Sequence, residues 1–260
     1  MERGVPIVCS TKGAVGWIVL DRPEALNSLD REGVIQFTER LTAWRDDADI
    51  RVIVVTGNGR AFCAGADLKE AGGAVGPGEK TLLDRIIILF DMLRGYPKPV
   101  IAAVNGLAYA GGLETVMCCD IVIAADGAKF ADAHSNFGVF PGGGGAAILP
   151  RKVPPNVARY MLFTGDPISA ADARTYGLVN EIVAEEELRP RAQALAERLA
   201  KKSPGVLAGM KRVAIEAADK SASDALRHEL LEAHNHGRSY DMQEGLKAFA
   251  EKREPQFKGY

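Results

Sequence analysis

Glu114 stands three residues after Gly111, in the run Ala110-Gly111-Gly112-Leu113-Glu114. A carboxylate one turn into a helix can serve as acid or base beside that helix's N-terminus. A second loop, Ala64-Gly65-Ala66-Asp67, is also built of small residues, whose backbone N–H groups a ligand atom can approach closely. Two such loops converging on one oxygen, with the positive end of a helix dipole behind them, make an oxyanion hole. Donors of this kind act on charge that develops in the transition state, each worth roughly 2.7–4 kcal/mol. By spacing alone the plainer reading, tight turns between strands and helices, stands ahead of this one.

The elements around these loops bear on the choice. Val15–Leu20, Arg51–Thr56, Val100–Val104 and Ile121–Ala124 read as strands, the Arg51–Thr56 run rich in β-branched residues and, like Val100–Val104, buried; Lys129–Ala131 reads as another. Between them, Asp30 caps a helix with Val34, Phe37, Leu41 and Trp44 on one face, and a second runs from Thr81 to Leu93. A short helix spans about Gly111 to Cys119, and Ser169-Ala170-Ala171-Asp172 opens a further one that Gly177 ends. Strands and helices alternating in units of roughly 45 residues imply a parallel sheet with crossover helices. Both glycine-bearing loops then follow strands, at the carboxyl edge where open α/β sheets bind ligands. After Ala184 four helices follow without a strand: Leu188–Lys202, Pro204–Ala218, Ser223–Arg238 and Asp241–Lys252. The chain therefore divides into an α/β body, residues 1–184, and a helical region, residues 185–260, suited to docking or oligomerisation.

Residues 57–78 hold seven of the 28 glycines and residues 106–145 hold nine. Neither cluster is a nucleotide loop. Gly57-Asn58-Gly59 lacks the third glycine of a dinucleotide fingerprint, and Gly142-Gly143-Gly144-Gly145 is not followed by Lys-Ser or Lys-Thr. A formal charge of -2 argues against nucleic acid. Apolar runs such as Ile86–Phe90 are far shorter than the about 20 residues a membrane span needs, and Met1–Gly4 shows no secretory leader. Cys9, Cys63, Cys118 and Cys119 read as reduced and mostly buried, as in a cytoplasmic protein. His228, His234 and His236 have no partners at metal-ligand spacing, so no metal is expected. Ser135 beside His134 makes no nucleophile–base pair.

The sequence resembles the enoyl-CoA hydratase/isomerase (crotonase) superfamily over nearly its whole length. The resemblance is carried by Asp21-Arg22-Pro23-Glu24-Ala25-Leu26-Asn27, by Ala61 to Lys69, by Lys98 to Gly106, by Cys119-Asp120-Ile121 and Thr164-Gly165, and by the tail from Phe249 to Lys258. It implies an α/β crotonase-like spiral of ββα units with a C-terminal all-helical region that builds homotrimers, usually paired into hexamers. It implies an acyl-CoA thioester substrate and no separate cofactor, CoA being part of the substrate. The Ala66 and Gly111 amides would hold the thioester oxygen and stabilise an enolate. Leu26, Ala64, Asp67 and Leu68 fall where the family contacts CoA; Lys69 lies near them, and the plainer reading of it is a solvated lysine. Phe257 and Lys258 fall where a chain end approaches CoA, its own or a neighbour's. Pro141 and Gly142 open a loop expected to wall the pocket. The acyl chain would meet residues 72–80 and the 82–93 helix.

One departure matters. Hydratases of the family use two glutamates. Glu114 matches the first; the second is replaced by His134, in His134-Ser135-Asn136-Phe137-Gly138-Val139. A carboxylate and an imidazole can still divide base and acid roles. The plainer reading of His134 is a pocket histidine tied to Asp132. The expected activity is reversible hydration of a 2-enoyl-CoA, with Glu114 on the water and His134 on the α-proton. Isomerisation, decarboxylation and C–C cleavage are the alternatives within the superfamily, and a non-catalytic scaffold is the alternative outside it.

Overall fold

The structure is a computed structural model that describes residues 5–73, 76 and 78–260. Met1–Gly4, and Ala74, Val75 and Pro77 of the expected acyl-chain wall, lie outside the described residues. In chain order the elements are β1 (Ile7–Lys12), β2 (Val15–Leu20), α1 (Arg31–Arg45), β3 (Val52–Gly57), β4 (Ala61–Cys63), α2 (Leu68–Ala71), α3 (Leu82–Arg94), β5 (Val100–Val104), β6 (Leu107–Tyr109), α4 (Gly111–Cys118), β7 (Ile121–Ala125), β8 (Lys129–Ala131), α5 (Gly145–Lys152), α6 (Pro155–Thr164), β9 (Ile168–Ser169), α7 (Ala170–Thr175), β10 (Glu181–Val183), α8 (Leu188–Ala200), α9 (Pro204–Ala217), α10 (Ala222–His236) and α11 (Tyr240–Glu251).

The strands form two sheets. The larger has the order β1-β2-β3-β5-β7-β10, and the smaller β4-β6-β8-β9. All pairings are parallel except β1 with β2 and β8 with β9. Each turn of the chain lays one strand in the large sheet, the next in the small sheet, and then a helix: β3-β4-α3, β5-β6-α4, β7-β8-α5. This is the ββα spiral expected from the resemblance. The units are not of even length, however. From Val100 of β5 to Ile121 of β7 the chain needs no long crossover, because α4 has eight residues and lies between the sheets and α3, buried on every side.

Local chemistry accounts for the helix starts. Asp30 accepts the Gly33 N–H, and Thr81 with Asp84 and Ser169 with Asp172 form reciprocal capping boxes. The main core packs α1, α3 and α4 against the sheets through Phe37, Leu41, Leu89, Phe90, Leu93, Leu113 and Val116. A second, smaller core covers the other face of the large sheet, where Leu188, Ala192, Leu195 and Ala196 of α8 meet Val52, Val54, Ile101 and Ile123. So α8 is a layer of the body, whereas α9 and α10 bury no residue fully. Lys211 of α9 reaches back to Asp120, whose carboxylate also accepts the Val100 N–H.

Candidate active site

The two loops do not end the strands of the large sheet, as the sequence suggested. They follow β4 and β6, neighbours in the small sheet. From the sequence β4 and β6 are not read as strands; Gly57–Arg60 and Asn105–Gly106 turn the chain from one sheet to the other before them. The convergence is nonetheless close. A Cβ on Gly65 would lie 3.2 Å from the Gly111 nitrogen, and one on Gly111 would lie 3.4 Å from the Ala66 nitrogen. Gly65, at φ +106°, has the backbone that glycine favours. Ala110, at φ 47° and ψ -119°, is a strained non-glycine residue that turns the chain into α4. Its own N–H is fixed on the Ala131 carbonyl at the end of β8. No hydrogen bond among the described residues takes the N–H of Ala66 or Gly111. Both amides are thus available beside the N-terminus of α4.

Gly112 lets α4 start so close to β4. A Cβ there would stand 2.0 Å from the Cys63 carbonyl oxygen. One turn on, Glu114 is 3% exposed. Its Oε1 accepts the N–H groups of Gly143 (2.7 Å) and Gly145 (2.9 Å). Its Oε2 lies 4.0 Å from His134 Nε2. The four-glycine loop, read from sequence as a pocket wall, is therefore the clamp on the glutamate. Its glycines are sterically required: a Cβ on Gly143 would come 2.2 Å from the Phe90 ring and 2.6 Å from Glu114 Oε2, and one on Gly145 2.3 Å from Asp132 Oδ2. Arg94 holds the loop from below through the Gly143 carbonyl at 3.0 Å.

His134 begins a single 3-10 turn, His134–Phe137, just past β8. Its Nδ1 is 2.9 Å from Asp132 Oδ1. Burial pulls the His134 pKa down, but the hydrogen bond and charge of Asp132 and the charge of Glu114 together push it above the ordinary histidine value. The tie to Asp132 considered for His134 is present, and Nε2 still faces Glu114.

The remaining expected residues fall into three groups. Leu26 and Ala64 are joined by an Ala64 N–H to Leu26 carbonyl bond at 3.0 Å, and Leu68 and Lys69 lie exposed just beyond Ala66. Asp67 caps α2 and pairs with Arg22 at 3.1 Å; Arg22 also meets Asp30 at 3.2 Å, so its guanidinium ties the first motif to the Ala64–Asp67 loop. The carboxylate of Asp67 is thereby engaged in structure. Pro141 and Gly142 sit at the clamp, where a Cβ on Gly142 would touch Leu83 of α3 at 2.8 Å. Phe257 and Lys258 belong elsewhere within this chain. The Phe257 carbonyl accepts from Arg51 just before β3, and the Lys258 ammonium lies 4.5 Å from the Tyr240 ring centre. Within this chain the tail is thus held at the start of β3 in the large sheet.

Gly143, Gly145 and Arg94 were not singled out from the sequence. The repeated glycines were the available signal. Burial pushes the Cys63 and Cys118 thiols up to about 12, which removes them as nucleophiles. Among the described residues no group of His, Cys, Asp and Glu could hold a metal ion, and no helix is long and apolar enough to cross a membrane.

Known proteins resemble this chain in sequence and fold. The enoyl-CoA hydratase/isomerase family profile matches residues 10–260. The (E)-benzylidenesuccinyl-CoA hydratase of Thauera aromatica is 36% identical, covering 98% of this chain and 100% of its own. The crotonyl-CoA hydratase of Syntrophomonas wolfei is 35% identical, covering 96% and 97%. The crystal structure of an enoyl-CoA hydratase from Bacillus anthracis superposes with a TM-score of 0.93 at 34% identity, over 98% of this chain and 100% of that one. With its ββα spiral, its paired amides and a match along nearly the full length, the chain belongs to the enoyl-CoA hydratase/isomerase (crotonase) family of enzymes.

Proposed function

We propose that the protein reversibly adds water across the double bond of a 2-enoyl-CoA thioester. The observation that carries this is the 4.0 Å approach of Glu114 Oε2 to His134 Nε2 beside two available amides. The Ala66 and Gly111 N–H groups donate to the thioester oxygen as it gains charge, helped by the dipole of α4. Glu114, clamped through Oε1, takes a proton from water with Oε2 while the hydroxide oxygen bonds to the β-carbon. The enolate then takes a proton at the α-carbon from His134 Nε2. Glu114 ends protonated and His134 neutral, and proton transfer between their facing atoms resets the site. CoA runs along Leu26, Ala64, Asp67, Leu68 and Lys69, with Pro141 and Gly142 at the acyl side.

Self-association completes the reading. Phe249, Leu246, Leu230 and Met210 of the C-terminal helices are exposed, Phe249 at 86%. A homotrimer or a pair of trimers would cover them and bring Phe257 and Lys258 to a neighbour's CoA. Crotonyl-CoA tests the activity through loss of the enoyl-thioester absorbance. Glu114→Gln is expected to lower kcat by about 10²–10⁴ with KM little changed; undiminished turnover would refute the assigned role. Mass spectrometry of the product separates hydration, which gains one water, from isomerisation, which gains nothing, and from cleavage or decarboxylation, which lose atoms.

A further inference from the structure

We infer that Asp132 is a positioning residue that fixes His134 with its proton on Nδ1 and leaves Nε2 as the atom that exchanges the substrate's proton. The inference rests on the reading of His134 as the proton donor and adds the group that decides which ring nitrogen acts.

Three observations carry it. First, the Asp132 carboxylate is 1% exposed, and His134 is its one hydrogen-bond partner among the described residues; Oδ2 is buried without any. A buried carboxylate left half-unsatisfied is costly, and this one caps no helix and closes no turn that would explain it. Second, the backbone is bent to make the pair. Ala133, buried and not glycine, adopts φ 57° and ψ -5°, a left-handed conformation that brings the side chains of residues 132 and 134 within 2.9 Å. Third, the ring is held between two carboxylates: Asp132 on Nδ1 and, at 4.0 Å, Glu114 on Nε2. These are the ionisable groups that face it. The loop at 142–145 presents backbone only, and α6 meets the 3-10 turn through Asn136 and Gly165.

The consequence is a defined cycle. The imidazolium gives its Nε2 proton to the α-carbon. The neutral ring keeps Nδ1–H on Asp132, since the carboxylate accepts and cannot donate, so the bare Nε2 always faces Glu114 and can take back the proton that Glu114 removed from water.

The test has two arms. In the wild-type protein, ¹⁵N NMR of His134 above its titration should show Nδ1 protonated and Nε2 bare; the reverse assignment would overturn the inference. Asp132→Asn preserves the shape and an accepting oxygen but removes the charge. The His134 titration is expected to move down by about 1–3 units, and the pH limb of kcat to move with it. KM for crotonyl-CoA should hold. A drop in kcat with neither the titration nor the limb displaced would mean a structural role and overturn it too. The underlying reading fails separately: if His134→Gln hydrates crotonyl-CoA at the parental rate, His134 is not the donor, whatever its tautomer.

Discussion

His134 and Glu114 present a histidine whose proton is retained beyond its ordinary range and a carboxylate with one oxygen fixed. The pH dependence follows in sign. Hydration needs His134 protonated, so kcat in that direction should be present below its pKa and fall as pH rises through it, at a value above the usual about 6.5. Dehydration of the 3-hydroxyacyl-CoA starts from the same single proton, now on Glu114, which must protonate the departing hydroxide, so its rate should fall over the same limb. Parallel pH–rate curves for both directions check this; limbs of opposite sense would contradict it. At this scale the sequence was informative. Glu114 and Gly111 were identifiable from one short run, and His134 from its place in a motif. The clamp on Glu114 was not, because a four-glycine run says that Cβ atoms are excluded without saying by what. Its carboxylate and the Phe90 ring, 29 and 53 residues away, supply the reason only once folded.

Among the elements, those carrying their own punctuation could be read in advance. Asp30, Thr81 and Ser169 announced α1, α3 and α7, and all three side chains accept the capping N–H. The strands β4, β6 and β9 have two or three residues each and no periodicity to detect, which is why the second sheet went unseen and the loops were assigned to the first. β1 hid for another reason: Ser10, Thr11 and Lys12 are polar, and it is a half-exposed edge strand. The tightest junction of elements is Gly112 against the Cys63 carbonyl. Gly112→Ala drives a methyl into backbone that cannot rotate away, and should cost about 3 kcal/mol or more, read as a fall in the denaturant midpoint. Gly127, whose Cβ would meet nothing within 4 Å, is the control; Gly127→Ala should be close to neutral.

For the molecule as a whole, the helices after α8 stand on polar contacts more than on a core. Arg253 and the Gln256 N–H hold the Glu244 carboxyl down to about 2 and pin the tail to α11. A depressed carboxyl contributes stability that is present above its unfolded value and lost as pH falls from there toward about 2. Hydrogen exchange of the 252–260 tail should therefore quicken below pH about 4 before the body loosens; uniform quickening would contradict this. The exposed apolar faces of α10 and α11 give the other prediction at this scale. Sedimentation should show a species at least three times the 27.8 kDa chain mass. Leu246→Asp with Phe249→Asp should shift it toward the monomer.

The 4.0 Å between Glu114 Oε2 and His134 Nε2 also has a stereochemical consequence. Two groups acting on opposite faces of a flat enoyl system would stand about 6 Å or more apart, each near 3 Å from its carbon. Atoms this close must work from one face. Hydroxyl and hydrogen are then delivered to the same side, and hydration in deuterated water should give a single 2-deuterio-3-hydroxyacyl diastereomer, the product of syn addition.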